Sequence, residues 1–257
     1  MKLWAKSGIV AILLSAFSLA LPFKEIHQGF QSVVPLMGVA MAASTDYDDD
    51  EYWETEVVPD PLEGFNRAMF KFNDGFYFYA LKPVSVVYAA YFPEGFRICI
   101  RNAFKNIFFP ARAINNLLQG KVDRAGVEIA RFVINSTLGV AGMWDIAYRD
   151  FKLKPYDEDF GQTLGHHGVK SGLYIVLPVF GPSTARDTVG LVADAFMNPL
   201  YYLSPDIYSS IGLRSGQIVN VTSLRIGEYE DFKASAIDPY VSMREAYHQY
   251  RAHEVLE

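Results

Sequence analysis

From Asp60 onward, apolar residues recur every three to four positions along most of the chain, and the elements this spacing predicts are mainly helices. Asp60-Pro61-Leu62-Glu63 offers an N-cap, a proline for the first helical position and an acid for the first turn. The helix it opens is expected to run to about Leu81, before Lys82-Pro83. On a helical wheel Phe65, Met69, Phe72, Phe76 and Tyr79 share one face, where a core stripe belongs. Phe70, Tyr77 and Phe78 lie on the other side, beside Arg67, Lys71 and Asp74. A helix so apolar all round is either buried on both sides or partly in lipid, and the pattern alone favours burial.

A second helix is predicted over Ala103–Gln119, interrupted by Pro110 and stopped by Gly120; Phe104, Ile107, Phe108 and Phe109 lie in its first half. Val122–Asn135 has the clearest pattern. Val122, Ala125, Ile129, Phe132 and Val133 form its apolar stripe, and Arg124 and Glu128 are set to pair on the exposed side. The apolar, glycine-punctuated stretch Leu138–Asp145 then reads as the return of a hairpin. Its glycines allow close backbone approach or hinging. Lys152–Gly172 is polar and loop-like, Tyr174–Pro178 is extended, and Pro182-Ser183-Thr184 with Asp187 resembles a capped helix start. That helix carries Val189, Val192, Ala193 and Phe196 on one face and should end before Pro199. Asp238-Pro239 opens a last helix to about Glu254, and no internal repeat stands out.

The N-terminus has a different pattern. Lys2 and Lys6 precede the uncharged run Ile9–Leu21, which suits the core of an export signal and is short for a membrane span. Ala40-Met41-Ala42 is the best peptidase site, so residues 1–42 are expected to be a signal peptide, with an uncleaved anchor as the alternative. Residues 43–59 form an acidic linker and 60–257 a single helical domain.

Charge sharpens this division. The formal net charge of the 257 residues is −6; removing residues 1–42, with three lysines and one glutamate, takes it to −8. The eight acids between Asp46 and Asp60 carry that balance, because residues 61–257 hold 20 basic and 20 acidic side chains. No basic excess exists for gripping phosphate backbones, which argues against nucleic acid as a partner. With 19 Phe and 16 Tyr, either the core is unusually aromatic or some rings face something other than water. Cys99 is the only cysteine, so no intramolecular disulfide can form, and its isoleucine neighbours suit a buried small hydrophobe.

Candidate chemistry is thin. His166 and His167 are adjacent, a spacing that seldom aims two imidazoles at one site, and no metal-binding motif accompanies them. Ser183 with Asp187 and a histidine is conceivable as a nucleophile, but the nucleophile-elbow motif is missing and capping explains the same residues. Asp157-Glu158-Asp159 lacks the regular spacing of a calcium loop.

Six blocks taken together are more informative. Asp60–Arg67 (DPLEGFNR), Asn115–Gly120 (NNLLQG), Arg131–Gly139 (RFVINSTLG), Phe160–His166 (FGQTLGH), Leu177–Asp187 (LPVFGPSTARD) and Asp238-Pro239-Tyr240 resemble, in order, the signature of the MlaA/VacJ family. The resemblance implies a mainly α fold: a helical ring around an amphipathic channel, with short extended segments, seated in the periplasmic leaflet of the outer membrane. It implies a non-enzymatic role without cofactors, removing misplaced phospholipids from the outer leaflet to maintain lipid asymmetry. The partners it implies are phospholipid, a trimeric porin and a soluble periplasmic lipid carrier. By the same resemblance, Phe132, Leu138, Gly139, Val140, Gly142, Met143 and Trp144 would line or gate the channel, with the glycines as hinges. Phe70, Tyr77, Phe78, Phe108 and Phe109 would face the membrane. The family is typically lipidated on a cysteine after the signal, and this chain has none there. A periplasmic hydrolase using His166 or His167 with Ser183, or a structural envelope protein, would be the alternatives.

Overall fold

The computed structural model describes residues 59–203 and 206–256. The signal peptide, its cleavage site and nearly all of the acidic linker lie outside the described residues.

The chain enters through α1 (Glu63–Phe76), which does not stop at Leu81. A π-helical turn, Tyr77–Leu81, joins it directly to α2 (Lys82–Tyr91), closed by the Lys82 N–H donating to the Tyr77 carbonyl. Pro83 is the reason. It has no N–H to donate and its ring collides with the preceding turn of a regular helix; a widened turn just upstream accommodates both defects. The predicted cap is also replaced: Leu62 is the N-cap without a side-chain bond, and Asp60 instead accepts from Asn66 at 2.9 Å and from the Tyr240 hydroxyl.

α3 (Glu94–Ile107) and α4 (Phe109–Leu118) replace the single interrupted helix, divided at Phe108 with Pro110 in the first turn of α4. Gly120, at φ +75°, follows α4 as expected, and α5 (Val122–Thr137) packs along α4. The short α6 (Ile146–Arg149) closes the hairpin. Inside the predicted loop lies α7 (Phe160–His166), held by a reciprocal capping box between Asp159 and Gln162. Aspartate followed three residues later by glutamine is the sequence signature of that cap.

β1 (Tyr174–Leu177) and β2 (Gly181–Thr184) form an antiparallel pair, with Tyr174 opposite Thr184 and Leu177 opposite Gly181. The free edge of β1 is covered by side chains of α1. Asn66 donates to the Tyr174 carbonyl at 3.0 Å and accepts from the Val176 N–H at 2.8 Å; two turns on, Asn73 donates to the Leu177 carbonyl at 2.9 Å. Two amides thus take the place of a third strand, which removes an open edge.

α8 (Ala185–Phe196) begins at the expected cap, with Thr184 accepting from the Asp187 N–H at 3.1 Å. It crosses α7 so closely that a Cβ on Gly190 would strike the Gly161 backbone. α9 (Pro199–Leu203), α10 (Ile207–Ser223) and α11 (Glu228–Ser235) follow, and α12 (Pro239–Leu256) ends the domain. Tyr240, Met243 and Tyr247 of α12 pack in two small aromatic clusters with Tyr77, Tyr174, Val176, Tyr229 and Phe232.

Candidate functional site

The burial pattern of these helices is reversed. On α5 most of the predicted core stripe points out: Val122, Ile129 and Val133 are 65%, 47% and 53% exposed, Phe132 is half-buried and only Ala125 of the five is inside, while Glu128 is fully buried. Arg131 and Asn135 are buried with it. α8 repeats the reversal. Val189, Val192 and Phe196 are exposed, and Arg186, Asp187 and Asp194 are inside. On α1, Phe65 and Phe72 face out and Asn66 is fully buried, and Tyr79 of the π-helical turn faces out as well. Among the described residues, buried polar side chains outnumber buried apolar ones. A water-soluble monomer seldom exposes apolar surface on this scale.

Two expectations are corrected here. Phe70, Tyr77 and Phe78, expected to face the membrane, turn inward: Tyr77 is buried beside Tyr229, their ring centroids 4.8 Å apart, and Phe70 and Phe78 pack against the cores. Tyr77 and its neighbours carry polar partners, Glu230 for Tyr77 and Asp74 for Tyr229, which hold them on the polar inner side. Phe108 and Phe109 are half-buried, and Phe109 stacks on Phe132 at 3.8 Å. The Arg124–Glu128 pair is also replaced. Glu128 accepts from Arg112 at 2.7 Å and from the Tyr156 N–H at 2.8 Å, while Arg124 reaches Glu158 at 3.4 Å.

The interior is a chain of charge pairs joining the sequence blocks. Arg251 bridges Asp159 at 2.8 Å and Asp187 at 2.8 Å, and Arg186 adds to Asp187 at 2.9 Å. Burial alone would raise the Asp187 pKa; the charges and hydrogen bonds of Arg251 and Arg186 reverse that and hold it well below the usual carboxylate range. Asn115 donates to Asp194 and accepts from Thr163; Gln119 donates to Glu158 and Thr163. Such a core is costly in desolvation, and it specifies position through geometry.

The hairpin after α5 is built on this interior. Arg131 donates to Asp145 at 2.8 Å, Asn135 donates to Asp145 at 3.0 Å and accepts from the Ala147 N–H at 2.9 Å. The turn is pinned again by Gly142 N–H to Asn135 at 2.8 Å, Trp144 N–H to Gly139 at 3.0 Å and Asn102 to the Met143 carbonyl at 3.2 Å. Gly139 and Gly142 are buried, and Gly142 sits at φ +85°. A Cβ on Gly139 would meet the Trp144 carbonyl and the Asn135 backbone; one on Gly142 would meet Asn106. These glycines serve close approach, one of the two roles read for them in the sequence. Val140 and Ala141 also adopt positive φ, so the turn is strained as well as tight. Leu138, Val140, Met143 and Trp144 project from it into the surroundings as four large apolar groups.

The catalytic candidates are spent on structure. Ser183 is buried against Thr188 at 3.1 Å, and the Asp187 oxygens go to Arg186, Arg251, Tyr247 and Thr184. His166 and His167 are exposed, with His167 on the Leu118 carbonyl at 3.0 Å. In the acidic run, Glu158 holds Lys121 and Asp159 holds Arg251. No trio of His, Cys, Asp or Glu suited to a metal occurs among the described residues. Cys99 is free and half-buried in α3.

The MlaA lipoprotein family model matches residues 58–254, nearly the whole helical domain. The chain belongs to the MlaA family. Within it, the chain is 36% identical over 193 residues to the intermembrane phospholipid transport system lipoprotein MlaA of Escherichia coli, covering 74% of this chain and 76% of that one. The corresponding MlaA lipoprotein of Haemophilus influenzae is 34% identical over 195 residues, covering 74% and 76%. An uncharacterized protein of Rickettsia conorii is 30% identical over 226 residues, covering 84% and 89%. A structure solved as the structural basis for maintenance of bacterial outer membrane lipid asymmetry matches with a TM-score of 0.67 at 36% identity, covering 77% of this chain and 99% of that one. The fold is thus the helical, ring-like MlaA fold, with the apolar faces of α1, α5 and α8 turned outward.

Proposed function

We propose that this protein transports phospholipid without chemical conversion, clearing misplaced lipid from the outer leaflet of the outer membrane. The observation that carries this reading is the reversed burial: helices with apolar sides out and ion pairs in fit a body surrounded by lipid with a polar interior. A phospholipid needs such a divided path. Its headgroup needs polar contact, and its acyl chains cost about 0.8 kcal/mol per CH₂ when exposed to water. The relatives' names and the solved structure's description point the same way.

The seat is the periplasmic leaflet. Among the described residues no helix is long and apolar enough to cross a membrane, and the exposed rings and aliphatic groups of α1, α4, α5 and α8 would hold the body at a half-bilayer depth. Leu138, Val140, Met143 and Trp144, on the pinned turn, would form the greasy edge that a lipid's tails cross; Phe132, stacked on Phe109, would back that edge, and Gly139 and Gly142 hold its shape. A trimeric porin would steady the ring, and a soluble periplasmic carrier would receive the lipid. The exposed apolar surface, the porin or an uncleaved N-terminal segment would attach the chain to the membrane.

The test is outer-leaflet phospholipid in a deletion strain. Loss of the gene should raise surface phospholipid and detergent sensitivity, and the full-length gene should reverse both. An unchanged outer leaflet in the deletion strain would overturn the proposal.

A further inference from the structure

α3 carries a feature that the charged interior does not absorb. Arg97, Arg101 and Lys105 stand four residues apart, so they share one face of the helix over about two turns. Arg97 is used: its guanidinium donates to the Phe92 carbonyl and to Ser223 on α10. Arg101 and Lys105 are different. Neither has a carboxylate within ion-pair reach among the described residues, although buried carboxylates elsewhere in the interior are paired. Arg101 makes one long contact, to Asn102 at 3.4 Å, and its Nε is buried with no hydrogen-bond partner.

Their neighbours add positive charge. Arg225, just past α10, and Arg112 of α4, which donates to the Lys105 carbonyl at 2.9 Å, stand close to the same two groups. Burial lowers the Lys105 pKa; Asp157 pulls the other way, and Arg101, Arg112 and Arg225 add to the lowering. On the adjoining edge of α3, Asn102 and Asn106 bond the hairpin at Met143 and Ser136. The cations therefore lie beside the apolar turn. Arg112 and Arg225 have carboxylates of their own in Glu128 and Glu228. Arg101 and Lys105 have none in direct contact among the described residues, and half-buried cations held so are costly enough to call for an anion. A phosphodiester suits two donors one helical turn apart, because its two non-bridging oxygens share one negative charge and can accept from a guanidinium and an ammonium side by side.

We propose that Arg101 and Lys105 bind the phosphate of a phospholipid headgroup while the neighbouring hairpin residues Met143 and Trp144 meet its acyl chains. This rests on the transport reading above and specifies how that path would recognise its cargo: by the phosphate, whatever alcohol the phosphate bears.

The experiment compares the full-length wild-type protein with R101Q/K105Q, both purified in a neutral detergent. Binding is read by native mass spectrometry against phosphatidylglycerol, against diacylglycerol with the same acyl chains, and with inorganic phosphate as competitor. Wild type should prefer phosphatidylglycerol by about tenfold or more, the scale of one charge-assisted hydrogen bond. The double variant should lose that preference while keeping its diacylglycerol binding. R101K/K105R should regain much of it. Thermal midpoints without lipid should be equal or higher in R101Q/K105Q, since it removes charge repulsion; a lower midpoint with unchanged lipid preference would show the pair to be structural and overturn the proposal. Displacement of phosphatidylglycerol by millimolar inorganic phosphate would overturn the lipid-headgroup assignment in favour of a free-phosphate site. In cells, complementation by wild type and by R101Q/K105Q alike, with equal lipid preference in vitro, would remove this proposal alone. Failure of the deletion to change the outer leaflet would instead remove the transport reading.

Discussion

At the scale of single residues the decisive pair is Glu128 and its neighbour Ile129. In a water-soluble helix the isoleucine would be internal and the glutamate wet; here Glu128 is fully buried between Arg112 and Arg131, and Ile129 points away. Removing Glu128 takes the shared carboxylate from two buried guanidinium groups and leaves Arg131 to Asp145 and Arg112 to the more exposed Asp157. Glu128→Ala should therefore cost about 3 kcal/mol of stability, the lower end for a broken buried pair. Ile129→Ala, on the outer face, should change stability by less than about 1 kcal/mol in detergent. Denaturant titration of both variants in the same micelle checks this order, and a costlier Ile129→Ala would contradict it. The 35 Phe and Tyr side chains already raised the question, since they meant either an unusually aromatic core or rings facing something other than water. What the composition lacked was direction. A periodic stripe shows which residues share a face, and it does not say whether that face meets a core or a lipid.

At the scale of elements, periodicity located α1, α4, α5, α8 and α12 and capping fixed several of their starts, while α2, α6, α7, α9, α10 and α11 went unread. α5, α8 and α12 begin within a residue or two of their predicted positions, as the Thr184 cap and the Asp238-Pro239 pair require. The failures have local causes. The π turn kept α1 and α2 continuous through Pro83, and the Asp159–Gln162 capping box made a helix of a segment whose glycines and histidines read as loop. The asparagines of α1 that cover β1 were invisible because their partners lie more than a hundred residues away. The hairpin lies where the glycine-punctuated stretch places it, and its glycines make close packing contacts. Gly139→Ala should therefore disturb the turn itself: its methyl group must displace the Trp144 carbonyl or the Asn135 backbone. Protease susceptibility near Ala141 should rise severalfold while α5 and α8 stay folded. A variant as resistant as wild type would show that the turn has room to move.

At the scale of the whole molecule, the order of the six sequence blocks points to the family, and the interior explains why those blocks occur together. Asp60 and Asn66, Asn115 and Gln119, Arg131 and Asn135, Asp159 to Thr163, and Asp187 are the residues that build the internal polar network, and Tyr240 ties it to the first block. The apolar exterior is the other half of the same arrangement, and it bears the central claim that lipid surrounds this fold. Fluorophores on single cysteines introduced at Phe72, Val133 and Phe196 of a Cys99→Ser protein, reconstituted in bilayers, measure this directly. Nitroxide-labelled acyl chains should quench all three strongly and aqueous iodide only weakly; strong iodide quenching without nitroxide quenching would place these faces in water and contradict the account.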